Sequence, residues 1–412
     1  MVQTLLEGHA KPDRMLYIDN IRWLMIIFVV LTHAAVTYSG LGSWYYKEPS
    51  NLDIASFAVF GIYLSFTQAY SMGLLFLLAG YFVPGAFDRK GFFKFLIDRA
   101  VRLGIPTLIY MILINFCINY YILAFEWRTP RPSPGQAFRD YIVSLDFLSG
   151  SGPMWFALAL LIFTVAYALI RHLQHSQDKL HEHEHGHEQG HEPEQELVQT
   201  ENKDEYGKLP GHMAVVALGL LISICAFSIR LVQPIGTSVM NMQLCYFSQY
   251  VILFIIGIIA YRNDWLSLIP HSLGMAWFKI SLIGGSIFWM AIIILGGGLS
   301  GDLTRYFGGL YWQSAAYALW ESFFCVGVCL GIIVIFRERF NKQGKLARFM
   351  SENYFSVYLF HAPILILTAL AFRDFSWHPL IKFLIVSAIA VPICFLASHL
   401  VLRRVPLLRR VL

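Results

Sequence analysis

Charge is what this chain has little of. Of its 412 residues only 14% are Asp, Glu, Lys or Arg, while 57% are hydrophobic. An ordinary soluble domain carries about 25% charge, so a set of soluble domains is excluded. The six cysteines, Cys117, Cys225, Cys245, Cys325, Cys329 and Cys394, all fall in or beside apolar stretches. That placement argues for free thiols in a membrane and against a disulfide framework. The first 16 residues are polar and mixed, with no apolar core leading to a small-residue cleavage site, so no cleavable leader is expected. No internal repeat is visible, and no stretch between the apolar segments is long enough to fold alone. The net charge of +5 is not a nucleic-acid signal, because the basic residues sit in short loops.

What is there is a series of apolar segments. Their approximate cores are 18–38, 57–82, 104–124, 153–171, 212–230, 244–261, 276–296, 311–336, 353–371 and 380–402. Each is long enough to cross a bilayer as a helix. The expected fold is therefore all-α, a polytopic membrane protein with about ten spanning helices around a polar cleft. The larger share of the 31 Lys and Arg falls in the two tails and in every second loop, as in Arg89, Lys90, Lys94, Arg99 and Arg102. This asymmetry puts both termini in the cytoplasm. Aromatic residues such as Trp44, Tyr45, Tyr46 and Trp127 mark the opposite interface. Residues 174–210 hold the run that begins His181-Glu-His-Glu-His. Such a composition cannot bury a core and is expected to be a disordered cytoplasmic loop. Histidine clusters also bind zinc or nickel, but nothing ties a metal to the membrane segments, and none is expected in the site.

The first apolar segment carries Arg22 near its start and His33 in its second half. Eleven residues at 100° each bring both side chains to one face, about 16 Å apart along the axis. An ionisable residue at membrane depth is costly and usually faces a bundle interior or a wet cavity. A neutral imidazole accepts a proton at neutral pH, which makes His33 the candidate catalytic residue. The alternative is a packed, hydrogen-bonded histidine. Arg22 stays protonated and can bind an anion or orient a carbonyl, or pair with Asp19 three residues earlier.

Further candidates follow along the chain. Arg99 and Arg102 share a face at the expected start of the third helix, where a helix N-terminus and two guanidinium groups would make a phosphate site. The plain alternative is ordinary loop charge. Glu321 is an intramembrane carboxylate, a functional candidate by default; its alternative is a structural partner for an arginine or a tyrosine hydroxyl. His361 precedes Pro363, which frees the Leu359 carbonyl, so His361 either acts directly or sits at a kink. Arg230, Gln68, Asn115 and Asn119 are read as polar links between helices.

Taken in order, these residues resemble the membrane-bound acyltransferase type 3 family. Arg22 and His33 match its Arg-x10-His signature. Phe76-Leu-Leu-Ala-Gly80-Tyr-Phe, Arg99-x-x-Arg102-x-x-x-Pro106, Met154-Trp155-Phe156 and Asn353-Tyr-Phe-Ser-Val-Tyr-Leu-Phe-His361-x-Pro363 follow in the family's order. Ala79 departs from the usual serine, and Pro153-Met154 from the polar residue that often precedes the tryptophan. The run Arg102-Leu-Gly-Ile-Pro, with no fused hydrolase-like domain, is similar to the branch that modifies periplasmic glucans. The resemblance implies an O-acyltransferase in a cell membrane, a bacterial inner membrane for envelope acceptors. Acyl-CoA would be the cytoplasmic donor, and an envelope carbohydrate or a lipid the acceptor. Arg99, Arg102 and Arg22 would then hold the donor. Glu321, His361, Trp155 and Tyr358 would line the acceptor side. His33 would act as general base or carry the acyl group itself. A transporter or a lipid or glycan flippase would use the same cleft without chemistry.

Overall fold

The computed structural model describes residues 15–48, 52–126, 131–185 and 209–404. Ten helices are long and apolar enough to cross a membrane: α1 Leu16–Ser39, α2 Ile54–Lys90, α3 Phe92–Ile122, α4 Gly152–Gln177, α5 His212–Arg230, α6 Leu244–Arg262, α7 His271–Leu295, α8 Trp312–Arg339, α9 Lys345–Ala371 and α10 Pro379–Leu400. They coincide in order with the ten segments expected from hydropathy, and no strand occurs among the described residues. The six cysteines are free. The helix of α4 runs on to His185, into the stretch expected to be disordered; residues 186–208 of that stretch lie outside the described residues.

α1 is the wall shared by two halves of the molecule. Ile18, Ile21, Met25 and Val29, spaced by three or four residues, pack into one core with residues of α2 and α4 to α8. Ile26, Val30, Ala34 and Tyr38, offset by one position, pack into a second core with α3, α9 and α10. Two stripes at helical spacing leave the helix almost no lipid-facing side. At the basic end, the Asn20 side-chain amide donates to the carbonyls of Phe340 (2.7 Å) and Lys342 (3.1 Å). The start of α1 is thereby tied to the loop between α8 and α9.

At Gly80 and Gly257, α2 and α6 meet backbone to backbone. A Cβ on Gly80 would fall on the Phe254 carbonyl oxygen, and one on Gly257 on the Leu77 carbonyl oxygen. Small residues at a crossing let backbones approach, a common way to bind helices where lipid removes the hydrophobic drive between them. Gly80 of the sequence motif therefore has a packing reason.

The largest departure from the sequence reading is at the basic end of α2 and α3. The second helix was expected to end near residue 82 and the third to begin near 104; instead they extend to Lys90 and from Phe92, with Gly91 at φ +70° as the break. Charged residues hide these turns from a hydropathy scan, but they pair with one another. Asp98 meets Lys90 at 2.7 Å and Arg102 at 3.1 Å, and Arg262 meets Asp88 at 2.8 Å. Helix can continue past the apolar slab when its charges are satisfied. Residues Ala100–Gly104 form a π-turn ahead of Pro106, where the missing proline N–H leaves the Arg102 carbonyl without its usual partner.

Candidate active site

The site lies at the end of α1 away from the basic loops. Gly40, at φ +68°, ends the helix, and the chain turns back at once, the Glu48 N–H donating to the Thr37 carbonyl at 2.8 Å. The short loop between them lays Trp44 on His33, ring centroids 3.8 Å apart and planes 11° from parallel. At the edge of the imidazole, beside it rather than across from the indole, stands His361 of α9, its centroid 5.1 Å away and its ring 12° from parallel. His33 Nδ1 and His361 Nε2 are 3.0 Å apart.

Hydrogen bonding sets the protons. His361 Nδ1 is 2.9 Å from the Tyr358 carbonyl, which can only accept, so Nδ1 of His361 carries the proton. A neutral imidazole has one donor and one acceptor. His361 Nε2 is therefore the acceptor, and Nδ1–H of His33 donates to it. That leaves the lone pair of His33 on Nε2, where no partner occurs among the described residues. His361 is fully buried, whereas His33 keeps part of its surface open. The relay fixes one ring and presents a basic nitrogen on the other. The arrangement can accept a proton at His33 Nε2 and spread the resulting charge through His361 to a backbone carbonyl.

Tyr358 sets the position of α9. Its hydroxyl donates to the Pro153 carbonyl at 2.5 Å and accepts the Ala157 N–H at 3.3 Å, so it pins α9 to the start of α4. Trp155, at that same start, stacks on Tyr250 of α6 with centroids 5.6 Å apart. It belongs to the packing between α2, α4 and α6 rather than to the immediate surroundings of His33.

Arg22 occupies a separate level. It reaches Asp19 at 3.4 Å and lies 4.6 Å over the Phe82 ring of α2. Between it and His33, the same side of α1 carries Met25, Ile26 and Val29, all buried. The two ionisable residues share a face, but in this conformation packed apolar side chains separate them. Arg99 and Arg102 lie within α3 and not at its start, so the free amides of a helix N-terminus are not beside them. Arg102 is held by Asp98. Arg99 lies 4.8 Å over the Phe95 ring, and its buried Nε has no hydrogen-bond partner among the described residues.

Glu321 pairs with Arg230 of α5, both buried, and the guanidinium lies over the rings of Tyr246 and Tyr317 at 5.5 and 5.7 Å. The geometry gives this carboxylate the structural partner that an arginine offers. Gln68 donates to the Tyr250 hydroxyl at 3.1 Å, and Asn115 links Tyr45 to Tyr141. Asn119 bonds the Asn115 carbonyl of its own helix. No group of three or more metal-ligating side chains occurs among the described residues. An apolar cavity of about 130 Å³ between α2, α5, α6 and α8, lined by Leu77, Val215, Leu253 and Cys329 among others, lies apart from His33.

Trp44 is the residue that sequence reasoning missed. It reads as one interfacial aromatic among several. Its only signal is position, on a loop of a few residues between Gly40 and Gly42 and the return to α1, too short to carry the ring far from His33.

Ten helices long and apolar enough to cross a membrane, among the described residues, define a class: multi-pass membrane proteins of all-α architecture. The family follows from a direct match. The model of the acyltransferase 3 family, an acyltransferase domain, matches residues 15–399, nearly the whole chain. The chain belongs to that family and is a multi-pass membrane acyltransferase. No curated protein and no solved structure matches it significantly.

Proposed function

We propose that this protein moves an acyl group, acetyl or succinyl-like, from acyl-CoA to a hydroxyl of an envelope carbohydrate or lipid, with His33 as general base. The observation that carries this reading is the proton order from Tyr358 through His361 to His33. It leaves an unprotonated Nε2 on an imidazole whose other nitrogen is already engaged. His33 Nε2 takes the proton of the acceptor hydroxyl. The acceptor oxygen attacks the thioester carbonyl, and the tetrahedral intermediate breaks its C–S bond. The departing thiolate then recovers the proton from the imidazolium, giving an ester and free CoA. General bases of this kind contribute about 10²–10⁴-fold. The same lone pair suits an acyl-histidine, but the Nδ1 donor to His361 favours a base, since it stabilises the imidazolium as it forms.

The donor enters from the basic end, which the charge asymmetry assigns to the cytoplasm. Arg99 is the better of the two phosphate ligands, because its Nε is unpartnered; Arg102 would exchange Asp98 for phosphate. Passage of the pantetheine arm from Arg22 to His33 requires Met25, Ile26 and Val29 to part from their neighbours.

Two measurements test this. His33→Ala in purified protein should lose acyl transfer by at least about a hundredfold while still binding acyl-CoA, and full transfer would remove His33 from the mechanism. Arg99→Ala with Arg102→Ala should weaken acyl-CoA binding by about tenfold or more. Undiminished affinity in that variant would place the phosphates elsewhere.

A further inference from the structure

Trp44 separates His33 from the surface at the far end of the bundle. One face of the indole covers the imidazole, and Gly42, Ser43 and Lys47 of the same loop are exposed. The loop is held from both sides. Glu48 binds the buried Lys382 of α10 at 2.5 Å, and the Tyr45 hydroxyl donates to Asn115 of α3 at 2.7 Å. Every anchor comes from a neighbour of Trp44 and none from its own polar atom. The Trp44 indole Nε1–H is buried without a hydrogen-bond partner among the described residues. A buried N–H left unpaired opposes folding, and a catalytic role is one of the explanations such a group admits. Trp265, Trp277 and Trp289 share the condition, but only Trp44 lies against the histidine pair, its centroid also 6.2 Å from that of His361.

We propose that Trp44 is the acceptor-positioning residue of this site, its indole N–H donating to an acceptor oxygen adjacent to the hydroxyl that reacts. This inference rests on His33 being the base. It specifies an acceptor with neighbouring oxygens, as a sugar ring or a glycerol headgroup presents, entering from the Trp44 side. One oxygen gives its proton to His33 Nε2 while its neighbour takes up the indole N–H, so the reacting hydroxyl is held in register. Water, the competing acceptor, has no second oxygen and gains nothing from Trp44. The indole thus favours transfer over hydrolysis.

The test is the partition of label from radiolabelled acetyl-CoA between envelope acceptors and free acetate. It is measured in membranes of cells expressing the full chain, with the lipid and glycan fractions counted separately. Trp44→Phe keeps an aromatic ring against His33 and removes the N–H. The ratio of transfer to hydrolysis should fall about tenfold through loss of transfer while acetate release stays at its starting rate, and the fraction that loses label identifies the acceptor class. An unchanged ratio overturns the assignment. If Trp44→Phe consumes no acetyl-CoA, 3-benzothienylalanine at position 44, which keeps both rings and lacks only the N–H, gives the same reading. Absence of His33-dependent incorporation in the unaltered protein would instead remove the base on which the inference rests.

Discussion

At the scale of single residues, two imidazoles in contact are told apart by what their other nitrogens touch. His361 donates to a backbone carbonyl and is fully buried, which suits a residue that orients its partner. His33 has a nitrogen with no partner among the described residues and keeps part of its surface open. His361→Ala should therefore lower kcat by about a hundredfold or more, within the range a positioned general base contributes, and leave the KM for acyl-CoA near its starting value. His361→Gln, whose amide oxygen can accept from His33 Nδ1, should recover part of the loss. Steady-state kinetics on the three proteins check this, and equal rates for Ala and Gln would show that the acceptor atom is irrelevant. His33 was legible in the sequence because helical geometry alone places it at depth on the face of Arg22. The partnership with His361 was not, since it joins positions 328 residues apart and hydropathy carries no information on which helices meet.

At the scale of elements, ten helices were legible because a bilayer imposes a length and an apolar content that sequence shows directly. Their ends were less so. The last turns of α2 and the first of α3 are charged and held by ion pairs, which a hydropathy scan reads as loop. That error also displaced Arg99 and Arg102, placing them at a helix start that lies at Phe92. Glycine motifs are a third case, visible as letters but silent about their partner. Gly80 is packed against the backbone of Phe254, and no side chain can retreat to admit a methyl group. Gly80→Ala should cost about 1–3 kcal/mol through overpacking and forced separation of α2 and α6. Thermal unfolding in detergent reads it as a lowered midpoint, and an unchanged midpoint would mean that the crossing is looser than its geometry.

At the scale of the whole molecule, α1 is the shared wall between two cores, one built largely from α2 and α4 to α8 and the other from α3, α9 and α10. The histidine pair belongs to the second, and the buried Arg230–Glu321 pair joins α5 to α8 in the first half. Sequence alone left Glu321 open between a functional carboxylate and an arginine's partner, since burial and pairing are properties of the assembled bundle. The structure supplies a criterion. A buried ion pair that serves only packing can be replaced as a unit, whereas removing one member strands a charge at about 3–5 kcal/mol. Arg230→Met should therefore unfold at a markedly lower temperature with Glu321 left in place, and Glu321→Leu likewise with Arg230 intact. The double variant should regain most of the lost stability and keep acyl transfer near that of the starting protein. If the double variant is stable but inactive, Glu321 or Arg230 meets the acceptor, and the polar site extends across α1 into the first core.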